Sequence, residues 1–251
     1  MPVKVHFLGT NGWYSSKTGN TTCVLIDAPE AYVVCDAGNG IQHIDKYIKN
    51  KRKPVYLFLS HFHIDHISGL HIMNKFRFPQ GMKLVCFKGG KKILDAIMRQ
   101  PFTISHKDLP MNVSVKEIEE GSPIGFPFKL TAKETKHIGK CFGYRFEFKE
   151  GSVSYCLDTG YCQNVVKLSS EVDLMITECA YRSGHVNEGW PHLNPELAAQ
   201  MAKEAKAKKL ALIHFDAENY ATIKERQKAR LKAARIFPKV FAARDLMEVV
   251  V

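Results

Sequence analysis

The 251-residue chain predicts an α/β fold in which strand-rich sheets are covered by helices on their outer faces. Three observations predict it. Short apolar, β-branched runs recur along the chain, segments of helical spacing interrupt them, and each half passes from a strand-rich part to helices, the pattern that layers helices onto sheets. With 45% hydrophobic and 24% charged residues, the composition is that of a soluble chain with enough apolar material for a substantial core. There is no internal repeat and no Pro/Gly/Ser-rich linker, so a single domain over 1–251 is expected.

Taken in order, strands are expected at 3–8, 21–26, 32–35, 55–59, 83–87, 113–118, 128–132, 141–148, 153–157, 174–177 and 210–213, with a final one at 246–251. The short spacings among the early and middle runs predict antiparallel pairing. Helices are expected at 39–48, 67–74, 90–98, 195–207 and 218–235. The fourth has the clearest start, with Asn194 as a cap and Pro195 in the first turn. Its stripe Leu197, Ala198, Met201 and Ala205 belongs to the core.

The composition also bounds location and partners. No basic leader with a long apolar segment opens the chain, and no apolar stretch is long enough to cross a bilayer, so the expectation is a cytoplasmic protein without a membrane partner. The seven cysteines form no CxxC pair and several sit in apolar runs, as buried thiols in a reducing compartment do. Of the formal charge of +11, residues 201–239 supply +7, from 11 Lys or Arg against 4 Asp or Glu. This fits either solvated basic helix faces or a surface that attracts anions, nucleic acid included. Gly9, Gly12, Gly19 and Gly38 lack the GxGxxG or GxxxxGK spacing, which gives no support to nicotinamide or P-loop chemistry and leaves them as tight-turn residues.

The chemistry is concentrated in His61-Phe62-His63-Ile64-Asp65-His66, directly after the run 55–60. Three imidazoles and a carboxylate in six residues are the donors that a borderline metal such as zinc takes. On extended chain His61 and His63 point the same way, whereas Asp65 and His66 lie where a helix begins. Two side-chain directions from one turn suit two neighbouring metals. Three further residues sit where strands end or turn: His137 after Thr135-Lys136, Asp158 after the run 153–157, and His214 after 210–213. Taken singly, Asp158 also fits a turn residue capping Gly160, His137 a surface loop residue and His214 a satisfied, partly buried histidine.

With these residues in view, the chain resembles the metallo-β-lactamase-fold hydrolases. The likeness runs through Gly9-Thr10, Gly19-Asn20, Asp36-Ala37-Gly38, the HxHxDH motif with Ser68-Gly69-Leu70, and then His137, Asp158 and His214. It implies a four-layer αββα sandwich of mixed sheets, with the metals at one edge of the paired sheets. It further implies two divalent metal ions, zinc first, with manganese or iron as alternatives. His61, His63 and His137 would hold one ion, Asp65, His66 and His214 the other, and Asp158 would bridge them.

Glu178, in Asp173-Leu174-Met175-Ile176-Thr177-Glu178, and His192, in His192-Leu193-Asn194-Pro195, resemble segments of the phosphodiesterase branch, which contains the tRNA 3′-processing endonuclease Z and cyclic phosphodiesterases. Asn194 stands where that branch has threonine. Only 20 residues separate His137 from Asp158, too few for the tRNA-gripping arm of the ribonuclease, and Ile64 replaces its glycine and is expected to crowd the loop. The expectation is a dinuclear metal-dependent phosphodiesterase for a small or cyclic phosphodiester or a short nucleotide. His192 would serve as proton donor, Glu178 would position it, and Asp65 would orient the attacking water. The alternatives are a tRNA-processing endoribonuclease without the arm, a thioesterase or lactonase, and a nucleic-acid-binding protein with a non-catalytic metal site. A homodimer is implied by the resemblance alone.

Three outlying segments complete the expectations. Trp13 and Tyr14, in a loop over 11–20, are placed to stack on a planar group or to pack on the neighbouring sheet. Residues 181–190 form a second rim loop, with His185 facing solvent. Lys88-Gly89-Gly90-Lys91-Lys92 fits a solvated turn, or a phosphate contact at a helix start.

Overall fold

The computed structural model describes residues 2–251. The first half contains β1 (Lys4–Gly9), β2 (Asn11–Gly12), β3 (Cys23–Asp27), β4 (Tyr32–Cys35), β5 (Val55–Phe58), α1 (Ile64–Ile67), β6 (Met82–Phe87), α2 (Gly90–Ile97) and β7 (Val113–Ile118). The second contains β8 (Lys129–Glu134), β9 (Phe142–Phe148), β10 (Gly151–Cys156), α3 (Gln163–Leu168), β11 (Leu174–Glu178), α4 (Pro195–Glu204), β12 (Leu210–Ile213), β13 (Phe215–Asp216), α5 (Ile223–Ala234), β14 (Val240–Ala242) and β15 (Met247–Val250).

Among the described residues, seven strands form one sheet in the order β15-β1-β3-β4-β5-β6-β7, and six form a second in the order β14-β12-β11-β10-β9-β8. The final strand expected at the end of the chain is β15, which returns to pair antiparallel with β1. Antiparallel pairing holds for β1-β3-β4 and for β8-β9-β10. It fails for β4-β5-β6-β7 and for β10-β11-β12-β14, which are parallel. The reason lies in the connections. Parallel neighbours need a crossover, and a helical segment lies in every one of these connections, including α3, which is too short to show a helical period. The helix expected at 39–48 is a 3-10 helix, Asn39–Lys46, and the one at 67–74 is split between α1 and a second 3-10 helix, Ser68–Lys75. The helix expected from 218 begins at Ile223, where Thr222 and Glu225 exchange hydrogen bonds as a capping box.

Alternate side chains of each strand feed different layers. In β3, Val24 and Ile26 point between the sheets, where they join Phe7, Phe58, Tyr144, Phe146, Tyr155 and Ile176. Cys23 and Leu25 point the other way, against Ile41, Ile44, Leu70 and Leu94 of the helical layer. On the far side of the second sheet, Met175, Leu210 and Leu212 pack on Leu168, Ala198, Met201 and Ala229. Strands buried on both faces account for continuous apolar runs in the sequence. The result is the four-layer αββα sandwich.

Candidate metal centre

Parallel strands that start together also end together, and the polar residues that follow their ends meet at one edge of the sandwich. Asp36 follows β4, the histidine motif follows β5, Asp158 follows β10, Glu178 ends β11 and His214 follows β12. Open α/β sheets commonly bind ligands at the carboxyl ends of their parallel strands. The loop with His137 reaches the same edge because Thr135 Oγ1 donates to the Asp158 carbonyl (2.8 Å) and Gly160 N–H to the Lys136 carbonyl (2.7 Å).

The seven residues predicted as ligands fall into two groups, His61, His63, His137 and Asp158 in one and Asp65, His66 and His214 in the other. His63 Nδ1 and His137 Nε2 are 3.2 Å apart, and His66 Nε2 and His214 Nε2 are 3.0 Å apart. Asp158 faces both groups: Oδ2 lies 3.9 Å from His61 Nε2, while Oδ1 lies 3.4 Å from His66 Nε2 and 3.2 Å from His214 Nε2. Asp65 Oδ2 lies 3.2 Å from His214 Nε2 and accepts the Trp13 N–H at 2.8 Å.

The electrostatics of the two groups differ. Burial lowers the pKa of His61, and lowers that of His137 to about 4, so both imidazoles stay neutral and keep a lone pair. At His66 and His214 burial opposes protonation but the carboxylates, Asp158 foremost, outweigh it and raise both. Burial likewise works against ionised Asp158 and Asp65, and the facing imidazoles win, holding both carboxyls below their usual range. Buried His61 Nε2 and Asp158 Oδ1 have no hydrogen-bond partner in the protein. Polar atoms this buried require a partner. Converging imidazole nitrogens around buried carboxylates are the surroundings a divalent cation satisfies, and the two groups form a dinuclear metal site.

Around it lies a supporting layer that sequence reasoning missed. Asp36 is fully buried and accepts from Ser60 N–H (2.7 Å), Ser60 Oγ (2.8 Å) and Tyr155 OH (2.7 Å), and its Oδ2 lies 2.7 Å from His66 Nδ1. Ser60 Oγ lies 3.0 Å from His61 Nδ1. These contacts engage the Nδ1 atoms and leave the Nε2 atoms for the site. The available signal was a lone carboxylate, Asp36, directly after the buried run of β4.

The structure revises or completes four of these readings. Ile64 does not crowd the motif: at the first position of α1 its side chain is 74% exposed, in the wall of the open cavity. Gly12 and Gly38 serve close approach rather than turns, since a Cβ would lie 2.5 Å from His214 Cε1 at Gly12 and 2.4 Å from the Asp65 carbonyl at Gly38. Lys88–Lys92 has the exposed lysines of the solvated turn, and its helix start already holds an anion in place of a phosphate, because Gly89 N–H and Lys91 N–H both donate to Glu117 Oε1 (2.8 and 2.9 Å). Within the basic segment 201–239, Arg226 is fully buried and so is not part of a solvated face.

A cavity of about 290 Å³ opens onto both ligand groups, with Trp13, Ile64, Tyr181, Trp190 and His192 in its walls. Tyr14 lies outside those walls. His185 is exposed, as expected. His192 Nδ1 lies 2.8 Å from Glu178 Oε1, which leaves Nε2 as the free nitrogen. Burial would lower its pKa, but the Glu178 charge and hydrogen bond push it up to about 9. Glu178 is fully buried and held by Thr159 N–H (2.7 Å) and Leu193 N–H (3.2 Å). Asn194 then caps α4 through Leu197 N–H (2.9 Å), fixing the chain two residues beyond His192.

Comparison with known proteins agrees with this geometry. The model of the beta-lactamase superfamily domain matches residues 31–215. The chain is 26% identical to a ribonuclease Z of Bacillus licheniformis over 307 aligned positions, which cover 98% of each chain. Among solved structures it resembles the metallo-beta-lactamase fold protein YhfI of Bacillus subtilis, with a TM-score of 0.83, 21% identity and 100% and 99% of the two chains covered. It also resembles the short form of human tRNase Z, with a TM-score of 0.74, 20% identity and 98% of each chain covered. The chain belongs to the beta-lactamase superfamily, as a metal-dependent hydrolase of the metallo-β-lactamase fold related to its phosphodiesterase branch.

Proposed function

We propose that the protein is a dinuclear metal-dependent phosphodiesterase acting on a small or cyclic phosphodiester or a short nucleotide. The observation that carries this reading is the His192–Glu178 pair, opening on the same cavity as both ligand groups. A thioester releases a thiolate that departs without a proton, whereas the alkoxide leaving a phosphodiester needs one.

In this reading His61, His63 and His137 would hold one ion and Asp65, His66 and His214 the other, with Asp158, which faces both groups, available to each. Zinc is the ion we propose, with manganese and iron as alternatives for this nitrogen and oxygen donor set. Such ions, when bound, supply an activated water and offset the charge of the phosphate oxygens. The protein does the rest. Trp13 N–H and His214 fix the Asp65 carboxylate, which orients the attacking water. His192 carries a proton at neutral pH and delivers it from Nε2 to the leaving oxygen, while Glu178 keeps the ring charged and aimed.

The cavity, about 290 Å³, is at the small end of ligand sites and suits a compact substrate. The relatives named ribonuclease Z support the phosphodiester class. An alignment of 307 positions against a chain of 251 residues also means that the relative carries segments without a counterpart here. Those names favour a second reading, tRNA 3′-end processing without a gripping arm. The seven free cysteines support a cytoplasmic location, and a homodimer completes the proposal.

The test is a metal-loaded activity panel of bis-p-nitrophenyl phosphate, 2′,3′- and 3′,5′-cyclic nucleotides, unprocessed tRNA and thioesters, with metal analysis of the same sample. Cleavage of small phosphodiesters with about two ions per chain is expected. Turnover confined to thioesters, or a single ion per chain, would overturn the proposal. Precise cutting of tRNA alone would select the second reading.

A further inference from the structure

The chain contains two tryptophans, and both line the cavity that opens on the metal centre. Trp13 is 71% exposed and Trp190 46%, and Ile64, which lines the same cavity, is 74% exposed. A single exposed apolar side chain is ordinary, but large ones gathered around a concave site mark a binding surface.

Both tryptophans are held in place. Trp13 has a left-handed backbone (φ 69°), which a bulky residue rarely adopts, and its N–H is tied to Asp65. Its loop is anchored from beneath by Arg226, whose guanidinium donates to Thr10 Oγ1 (3.0 Å), Thr18 Oγ1 (2.8 Å) and Asn11 Oδ1. Trp190 N–H donates to Asn187 Oδ1 (3.2 Å), its carbonyl accepts from Tyr181 OH, and its ring lies parallel to the His63 imidazole, with centroids 6.1 Å apart and planes within 2°. Loops tethered this closely present flat, preorganised π surfaces beside the phosphate site, at little cost in ordering.

We propose that Trp13 and Trp190 determine specificity by gripping a planar aromatic group next to the scissile phosphate, so that the preferred substrate is a nucleobase-bearing phosphodiester. The proposal rests on the phosphodiesterase reading for the phosphate and adds the group attached to it. A base offers a π face whatever its sequence, and stacking on aromatic side chains tolerates any of the four. The apolar walls would take the base, while the ions that the histidines and carboxylates below would hold supply the charge for the phosphate. A mononucleotide and the end of an RNA strand share this chemistry.

Intrinsic fluorescence tests it directly, because no third tryptophan contributes. The metal-loaded protein is titrated separately with AMP, with a phosphorothioate tetraribonucleotide and with ribose 5-phosphate, which lacks the base. Saturable change with AMP or the tetranucleotide at concentrations about tenfold or more below ribose 5-phosphate is expected, and the better of the two identifies the source. Trp13→Leu and Trp190→Leu, read through the remaining tryptophan, should each weaken the base-bearing ligand about tenfold and leave ribose 5-phosphate unchanged. Phenylalanine at either position should restore much of the affinity. Ribose 5-phosphate binding as tightly as AMP, or leucine variants with parental affinity, would overturn the proposal. Turnover of glycerophosphocholine and cyclic AMP judges the reaction separately. If no diester is cleaved while the preference for the base persists, the phosphodiesterase reading falls and the aromatic grip stands.

Discussion

Glu178 decides the protonation of His192. Burial alone would strip the imidazole of its proton, and the neighbouring carboxylate reverses this, with the pKa pushed up to about 9. The acid form therefore prevails below that value and disappears above it. The associated stability is fully present below the ordinary histidine value and is lost as pH rises through about 9. Glu178→Gln keeps the shape and removes the charge. Its alkaline limb of kcat against pH should move down by about one to three units, with kcat reduced at neutral pH. A limb that stays in place in a stopped-assay pH series would remove His192 as the proposed proton donor. At this scale the sequence was legible for the imidazoles and carboxylates that the fold brings together, because they cluster or stand at strand ends. Asp36, Ser60 and Tyr155 were not legible, since their task of aiming the ring nitrogens arises only when β4 pairs with β5 and β10 packs across from them in the other sheet. Ile64 was misread because a letter inside a motif does not say which way its side chain turns.

Elements bring the residues together, and the parallel strands matter most. Their common end at one edge is why ligands scattered from His61 to His214 share a site. Strand positions could be read from apolar runs. Their direction could not, because pairing depends on which connections contain helices, and α3 has only 6 residues. The two-residue strands β2 and β13 lie below any period, yet their pairing sets Asn11 beside Phe215 and so positions the loop with Trp13 next to His214. Arg226 of α5 locks that loop from below, with its own pKa lowered to about 10 by burial. Arg226→Met should cost about 3 kcal/mol or more in urea unfolding, since Thr10, Thr18 and Asn11 lose a buried donor, and should raise KM through a loosened loop. A variant as stable as the parent would show that the loop is anchored by something else.

For the molecule as a whole, the two sheets meet through a shared apolar layer and, at one edge, through the metal centre. The first group of ligands draws on both sheets, and so does the second. Ions that bind only the folded chain stabilise it by about 4 kcal/mol each at a thousandfold excess over Kd. Chelation should thus lower Tm by about 8 °C or more, reversibly on adding zinc, in a calorimetric scan. An unchanged Tm would mean that the ions do not hold the sheets together. The four-layer architecture was legible through family likeness more than through pattern, because strands buried on both faces do not alternate. Synthesis also feels this geometry. His66 and His214, whose Nε2 atoms lie 3.0 Å apart, are separated by 148 positions. A ribosome takes about 7–30 s to cover that distance. Throughout that interval the early histidine cluster stands without the full set of partners that the second sheet supplies, His137, Asp158 and His214. Each ligand group is complete only after the second sheet has been made, so the full donor set is a property of the finished fold and not of the motif.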